Sequence, residues 1–235
     1  SLGGSLSGRQ SAQCEITCMS SIGAKLCSLR YLARLRGLST MQQIILASSS
    51  QTRKALMDRL GITYTALSPD IDETPRGETH ADQLASRLAY EKAQHIAKNY
   101  PNAVVIGSDQ VAWRIHQPDQ FIGKPLSAEN AIAQLKQNSG QTVCFSTGLS
   151  IQHRASGFEH TLIEHYQVKF RVLTDAEIER YVAIEQPLQC AGSFRCEGLG
   201  ISLFESMQGS DQTTLMGLPL ITLCKSLRQL NIQLP

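Results

Sequence analysis

Asn102-Ala103-Val104-Val105-Ile106-Gly107 is a short apolar run that leads directly into the polar triplet Ser108-Asp109-Gln110. Such a run predicts a buried β-strand. Ligands of open α/β sheets lie beyond the carboxyl ends of the strands, and this strand places Asp109 there. A carboxylate in that position is poorly solvated unless it has partners, which makes Asp109 a candidate functional residue; a capping or turn-forming aspartate is the alternative.

The sequence before this strand predicts alternating strands and helices. Gln43–Ala47 and Thr63–Leu67 are typical of two further strands, and Gln51–Leu60 and Ala81–Lys98 have the apolar spacing of helices. This alternation favours an α/β fold with a twisted and, in this half, largely parallel sheet.

The sequence after it is of a different kind. Apolar and polar residues alternate over Thr142–Gln152 and Thr161–Val172, which predicts an antiparallel pair of strands. The remaining predictions are turns at His116–Gln120 and Gly123-Lys124-Pro125, a loop over Gln186–Gly200, and helices over Ser127–Asn138, Asp175–Ala183 and about Pro219–Leu230.

Composition and charge exclude several classes of protein. Residues 1–40 contain five basic residues and one acidic residue, which leaves 17 of the 22 basic and 19 of the 20 acidic residues for 41–235, a net charge of −2. The main body is therefore not expected to bind nucleic acid. The seven cysteines have no CxxC spacing, which argues against zinc and favours a reducing, cytoplasmic location. No run of about 18 apolar residues predicts a membrane span.

The first 40 residues differ from the rest of the chain. They are rich in Ser, Gly and Leu and poor in acidic residues. We interpret residues 1–40 as a non-native or upstream-translated extension, disordered or partly helical, with a start at Met41 and one domain over 41–235. An organelle transit peptide is the alternative.

A serine-rich turn follows the first strand. Backbone N–H groups at a strand-to-helix junction favour binding of an oxyanion, and Ser48 and Ser50 add hydroxyl donors. Arg53 is placed to bind a phosphate through its guanidinium group. The alternative is an ordinary serine cap beside a surface arginine.

Acidic and basic residues elsewhere predict a metal and polyphosphate site. Glu73 and Asp109 are the oxygen ligands that Mg²⁺ or Mn²⁺ prefers, with phosphate oxygens completing the coordination. Lys92 and Lys124 are suited to neutralising a polyphosphate. A solvated helix charge is the alternative for Lys92. The sequence contains no GxxxxGK[ST], GxGxxG or GxSxG motif that would indicate a P-loop, a Rossmann or a serine-hydrolase site.

Six motifs in order resemble one known family. They are Leu46-Ala47-Ser48-Ser49-Ser50-x-x-Arg53, Asp72-Glu73-Thr74-Pro75, Glu91-Lys92-Ala93, Gly107-Ser108-Asp109-Gln110, Gly123-Lys124-Pro125 and Gly217-Leu218-Pro219. Over residues 41–235 this set resembles the Maf family, nucleotide pyrophosphatases once described as septum formation inhibitors. One departure is Gln51, where the family usually has proline.

The resemblance implies a fold and a reaction. It implies an α/β fold in which a twisted mixed sheet is flanked by helices and a cleft lies between two lobes, as in Maf and ITPase-like proteins. It implies hydrolysis between the α- and β-phosphates with a divalent metal cation, Asp109 as proton acceptor, and a nucleotide partner; a homodimer is also implied. Ser48, Arg53, Glu73, Lys92 and Lys124 match phosphate- and metal-proximal positions.

A segment near the C-terminus indicates the base. Ala191–Gly200 resembles the branch of the family assigned to 7-methyl-GTP, in which Glu197 would accept hydrogen bonds from guanine and attract its methylated, positively charged ring. Thr52 and Gln110 match other specificity positions, and Thr52 stands where this branch commonly has Trp. Three alternatives remain: a nucleotide-binding regulator of cell division, a dTTP/UTP enzyme, and a house-cleaning hydrolase acting on ITP.

Overall fold

The computed structural model describes residues 42–234, and the predictions made for residues 1–41 lie outside this range. Its strands are β1 (Ile44–Ala47), β2 (Thr65–Leu67), β3 (Val104–Arg114), β4 (Gln117–Ile122), β5 (Thr142–His153), β6 (Phe158–Phe170) and β7 (Phe204–Gln208). Its α-helices are α1 (Gln51–Asp58), α2 (Ala81–Ala97), α3 (Ala128–Asn138), α4 (Asp175–Glu185), α5 (Gln212–Leu215) and α6 (Leu220–Gln229). Short 3₁₀ turns lie at Arg154–Ser156, Ala191–Ser193 and Leu199–Leu203.

The strands form one mixed sheet, in the order β2-β1-β3-β5-β6-β7, with β4 also paired to β3. The pairs β1–β2 and β1–β3 are parallel, and the other pairs are antiparallel. The expected parallel arrangement is therefore confirmed for the first three strands. The fold class, α/β with a twisted mixed sheet flanked by helices, is also confirmed.

One edge of β3 is divided between two partners. β5 pairs with β3 from Val105 to Arg114, so β1 and β4 must share the opposite edge. β1 pairs only as far as Gly107, and β4 pairs from Ala112 onward. Residues 108–111 of β3 lie between these two stretches and have no strand partner on this edge among the described residues. The sheet is therefore split there. Both β1 and β4 end at this gap, so the residues that follow each of these strands lie beside it.

The strand that contains Asp109 is longer than expected. We predicted a strand over Asn102–Gly107 and its possible continuation over Val111–Ile115, with Asp109 between the two, but β3 is one unbroken strand to Arg114, so Asp109 lies inside it. The predicted turn over His116–Gln120 was wrong for the same reason, because β4 pairs back onto the extended β3 from Gln117. Asp109 still borders an open space, since β1 ends beside Gly107.

Two glycines allow α2 to pack directly on the sheet. A Cβ atom on Gly107 would lie 2.3 Å from the carbonyl oxygen of Ala89, and one on Gly148 would lie 2.3 Å from that of Ala85. Real Cβ atoms do not approach this closely, so a side chain at either position would push the helix away from the sheet. Gly107, Asp109 and Val105 share one face of β3 because side chains alternate along a strand. The close approach therefore brings α2 next to Asp109.

We expect Gly148→Ala to lower the free energy of unfolding by about 1–3 kcal/mol, since the added methyl group overpacks a backbone contact. Chemical denaturation measures this change. Gly123→Ala is the matched control, because a Cβ atom there meets nothing within 4 Å. A Gly148→Ala protein as stable as the Gly123→Ala protein would contradict the packing described here.

The local signals for helix starts are confirmed. Ser127 accepts a hydrogen bond from the backbone N–H of Asn130 at the start of α3. Thr174 and Glu177 form the predicted capping box of α4. β7 and α5 were not predicted, because their stretches are short and contain polar residues. No described helix is both long enough and apolar enough to span a bilayer.

Candidate active site

The central feature of the site is a buried lysine between two carboxylates. Lys92 is on α2, and its Nζ lies 2.5 Å from Oδ1 of Asp109 and 2.7 Å from Oε1 of Glu73. Lys92 and Asp109 are buried, whereas Glu73 is largely exposed at the rim. The prediction that these three residues come together is therefore confirmed, and Lys92 is not a solvated helix charge.

An ion cluster holds the loop that contains Glu73 against α2. Arg87 pairs with Glu78, its Nη1 donates to Oε2 of Glu91 at 3.0 Å, and its Nη2 donates to the carbonyl oxygen of Thr74 at 3.0 Å. Arg76 adds a second bond to Glu91, at 2.7 Å. Arg87 thus binds the loop at Thr74 and at Glu78, on either side of Arg76, and so fixes the loop to the helix that contains Lys92.

We expect Arg87→Ala to lower kcat/KM of the reaction predicted for this cleft by about tenfold to a hundredfold, because small displacements of a positioned group have effects of this size. Steady-state kinetics and denaturation, measured together, test this. Arg154→Ala, an exposed arginine of a 3₁₀ turn, is the control. Unchanged kcat/KM in a folded Arg87→Ala protein would show that this cluster does not position Glu73.

The serine turn lies at the predicted strand-to-helix junction after β1, but two of its backbone N–H groups are already bonded to serine hydroxyls. The hydroxyl oxygen of Ser48 accepts a hydrogen bond from the backbone N–H of Ser50 at 3.1 Å. Ser50 caps α1, since its hydroxyl oxygen accepts from the backbone N–H of Arg53 at 3.3 Å. In both cases the hydroxyl is the acceptor, so its own proton is free to be donated to an anion in the cleft.

The guanidinium of Arg53 is held by the C-terminal part of the chain. Its Nε donates to the carbonyl oxygen of Gly217 at 2.7 Å. Ser108 Oγ lies 2.9 Å from the same oxygen. Burial lowers the pKa of Arg53, and the charges of Asp109 and Glu73 oppose that shift. Arg53 is therefore close enough to both carboxylates to interact with them electrostatically.

The charges around Glu73 show which cations lie near it. Partial burial raises the pKa of this carboxyl, but its hydrogen bond and charge interaction with Lys92, and then the charges of Lys124 and Arg53, lower it below the usual value. Lys124 follows β4 in an irregular loop rather than in the tight turn that was predicted. Three cations from three distant parts of the chain therefore face this acidic group.

All ten residues predicted to form the site line one cleft of about 890 Å³. They are Ser48, Ser50, Thr52, Arg53, Glu73, Lys92, Asp109, Gln110, Lys124 and Glu197. The gap in the sheet explains this convergence, because the residues after β1 and those after β4 enter it from opposite sides. The individual roles of these residues stay predictions.

The amide of Gln110 is engaged within the protein. Its Nε2 lies 2.8 Å from the carbonyl oxygen of Thr214, 3.0 Å from Thr147 Oγ1 and 3.1 Å from the carbonyl oxygen of Leu215. These contacts use its donors to bind α5 to the sheet. Any effect of Gln110 on the base must therefore act through its carbonyl oxygen or through the position of α5.

Several cleft residues were missed from the sequence. Gly217 was quoted in a motif without a role, and its carbonyl oxygen binds Arg53 and Ser108. An apolar part of the wall is formed by Leu84, Leu88, Val111, Phe145, Phe194 and Leu215. These residues look like ordinary core residues in the sequence, so no local signal distinguishes them.

Glu73 and Asp109 fit a divalent cation only in part. Within the described part of the chain, no three His, Cys, Asp or Glu side chains are grouped so as to hold a metal ion. Lys92 contacts one oxygen of each carboxylate, which leaves the second oxygen of each as a possible hard ligand. The donor set suits Mg²⁺ or Mn²⁺ if a nucleotide supplies phosphate oxygens.

The chain is similar to known proteins at two levels. It is 83% identical over 198 residues to a nucleoside triphosphate pyrophosphatase of Acinetobacter baylyi, covering 84% of this chain and all of that protein. Among solved structures, the Ham1 protein of Staphylococcus aureus has a TM-score of 0.47 at 15% identity, over 81% of this chain and all of that one. A dITP/XTP pyrophosphatase of Mycobacterium abscessus has a TM-score of 0.38 at 15% identity, over 56% of this chain and 76% of that one.

The structural likenesses are too distant for an argument about function, whereas the sequence matches cover nearly the whole described domain. The model of the Maf-like protein family matches residues 43–230, a range that contains all six motifs completely. The cleft, its ten converging residues and this match lead to one conclusion: the chain belongs to the Maf-like protein family.

Proposed function

We propose that this protein is a nucleoside triphosphate pyrophosphatase, which hydrolyses a nucleotide to its monophosphate and pyrophosphate. The main support is the geometry around Lys92, where a buried cation joins Asp109 and Glu73 in a cleft that also contains Arg53 and Lys124. Family membership and the name of the Acinetobacter relative support the same reaction.

The cations of the cleft match the charge of a triphosphate. Arg53, Lys92 and Lys124 would neutralise phosphate oxygens, and the charge that develops when the α–β bond breaks would be stabilised in the same way. Ser48 and Ser50 would donate hydroxyl protons to phosphate oxygens. Asp109 would accept the proton of the attacking water, since its carboxylate is held in place by Lys92.

A divalent cation is part of this proposal. The second carboxylate oxygens of Glu73 and Asp109 would hold Mg²⁺ or Mn²⁺, which would supply Lewis-acid stabilisation of the phosphoryl charge. The residues of the chain hold and orient the substrate around that position.

For the base we propose 7-methylguanine. Glu197 lines the same cleft as the catalytic groups, and its carboxylate would accept hydrogen bonds from the guanine edge and attract a cationic ring. Thr52 lines the same cleft, is half-buried and offers no aromatic surface for stacking. The proposed preference for 7-methylguanine over guanine therefore depends on the negative charge of Glu197.

A nucleotide panel tests the function and the base together. Pyrophosphate release is measured with 7-methyl-GTP, GTP, ITP, dTTP and UTP over a range of Mg²⁺ and Mn²⁺ concentrations. We expect 7-methyl-GTP to have the highest kcat/KM and activity to require the metal. The highest kcat/KM with UTP, dTTP or ITP would reject the proposed base, and nucleotide binding without turnover would favour a regulatory protein over an enzyme.

A further inference from the structure

The cleft wall that contains Glu197 is fixed by α4. The backbone N–H of Arg195 donates to Oη of Tyr181 at 3.1 Å, and the N–H of Leu199 donates to Oε2 of Glu185 at 2.6 Å. A Cβ atom on Gly198 would lie 2.6 Å from Oε2 of Glu185, so a side chain there would require the Glu185 carboxylate to move. The backbone is therefore anchored on both sides of Glu197.

Arg195 lies between two carboxylates in this wall. Its Nη1 is 3.3 Å from Oε1 of Glu185, and its Nε is 3.7 Å from Oε1 of Glu197. The side chain of Glu185 is only 9% exposed, whereas that of Glu197 is 29% exposed. The guanidinium is therefore closer to the buried Glu185 and neutralises Glu197 only in part.

The other oxygen of Glu197 has a partner that does not change its charge. Oε2 accepts a hydrogen bond from Sγ of Cys196 at 3.4 Å. Burial, followed by the neighbouring charge of Glu197, raises the pKa of the Cys196 thiol to about 12. The thiol keeps its proton at neutral pH and acts as the donor, so Arg195 is the charged group in direct contact with Glu197.

We propose that Arg195, positioned by Glu185, determines how strongly this protein distinguishes a cationic purine base from a neutral one. The proposal rests on the proposed function, because it requires the base to lie against Glu197. The guanidinium repels a cationic ring and competes with it for the Glu197 carboxylate. A neutral guanine experiences the hydrogen bonds of Glu197 without this charge repulsion.

Glu185 limits the competition between Arg195 and a cationic base for Glu197, because it binds the guanidinium itself. Removing Arg195 and removing the charge of Glu185 should therefore have opposite effects. In Arg195→Met the positive charge is gone, so Glu197 is fully available to a cationic ring. In Glu185→Gln the acceptor for Leu199 remains, but the guanidinium loses its nearer charged partner and is expected to pair more closely with Glu197. The first change favours the cationic base, and the second disfavours it.

The measurement is the ratio of kcat/KM for 7-methyl-GTP to that for GTP, with the two substrates in competition. We expect Arg195→Met to raise the ratio by about twofold to fivefold, the range for partly exposed charges, and Glu185→Gln to lower it. High salt is expected to shrink both changes, since it screens charges at the rim of a cleft. Arg180→Met, which removes an exposed arginine of α4, controls for net charge.

The outcomes separate this inference from the proposed function. If the wild-type protein hydrolyses other nucleotides but no guanine nucleotide, the proposed base and this inference are wrong while the pyrophosphatase reaction stands; if it hydrolyses no nucleotide, the proposed function is wrong as well. If it hydrolyses both substrates and Glu197→Gln changes their ratio, but Arg195→Met leaves the ratio unchanged, this inference alone is wrong. A change of the same sign in Arg195→Met and Glu185→Gln would also overturn it, because loosening of the wall would then explain both. Arg195 is exposed, so its variant remains testable even if Glu185→Gln unfolds.

Discussion

Asp109→Asn is expected to lower kcat for nucleotide hydrolysis by about 10²–10⁴-fold, the usual effect of removing a general base. Asparagine has nearly the same shape and can still accept a hydrogen bond from Lys92, but it cannot take a proton from water. The change is measured by steady-state kinetics at several metal concentrations, so that weaker metal binding is distinguished from a slower reaction.

A matched variant controls for the loss of a negative charge. Asp119 is exposed on β4 and does not line the cleft, so Asp119→Asn should leave kcat unchanged. Turnover close to that of the wild-type protein in a folded Asp109→Asn variant would reject Asp109 as the base.

Lys92→Met is expected to have the second large effect. It removes the cation between Asp109 and Glu73, and we expect kcat/KM to fall by about 10²–10³-fold, as it does when one preorganised group that stabilises developing charge is lost. The buried Asp109 carboxylate then has no partner on α2, so the free energy of unfolding should also fall, by about 3 kcal/mol. Kinetics and denaturation measure the two effects separately.

The same helix provides the control for this variant. Lys98, which follows α2, is exposed, so Lys98→Met removes the same charge and chemical group away from the cleft. Its activity and stability should match those of the wild-type protein. If Lys92→Met also keeps full activity, the cation between the carboxylates has no part in the reaction.

Sequence reasoning located the site because its signals are local. The apolar run before Asp109, the serine turn and the helix that contains Lys92 can each be recognised within a few residues. Parallel strands then bring their ends to one side of a sheet, which predicted that Asp109, Ser48 and Glu73 would be neighbours. This reasoning succeeded although β3 does not end at Gly107, because the partner strand β1 does end there.

The parts that could not be predicted depend on contacts between distant residues. The split edge of β3 depends on which strand pairs with its second half, and the polar β4 sequence has no strand pattern. The roles of Arg87 and Glu185 depend on loops folding back onto helices, which no spacing along the chain encodes. Gly217 acts through a carbonyl oxygen, so its side chain gives no indication of its contact with Arg53.

The central claim is that this cleft directs a water molecule at the α-phosphorus of a nucleoside triphosphate. Hydrolysis in water enriched in the heavy oxygen isotope, followed by mass spectrometry of the products, tests it most directly. We predict that the label appears in the nucleoside monophosphate and that the pyrophosphate is unlabelled. Label in the pyrophosphate, or release of orthophosphate with a nucleoside diphosphate, would contradict the claim.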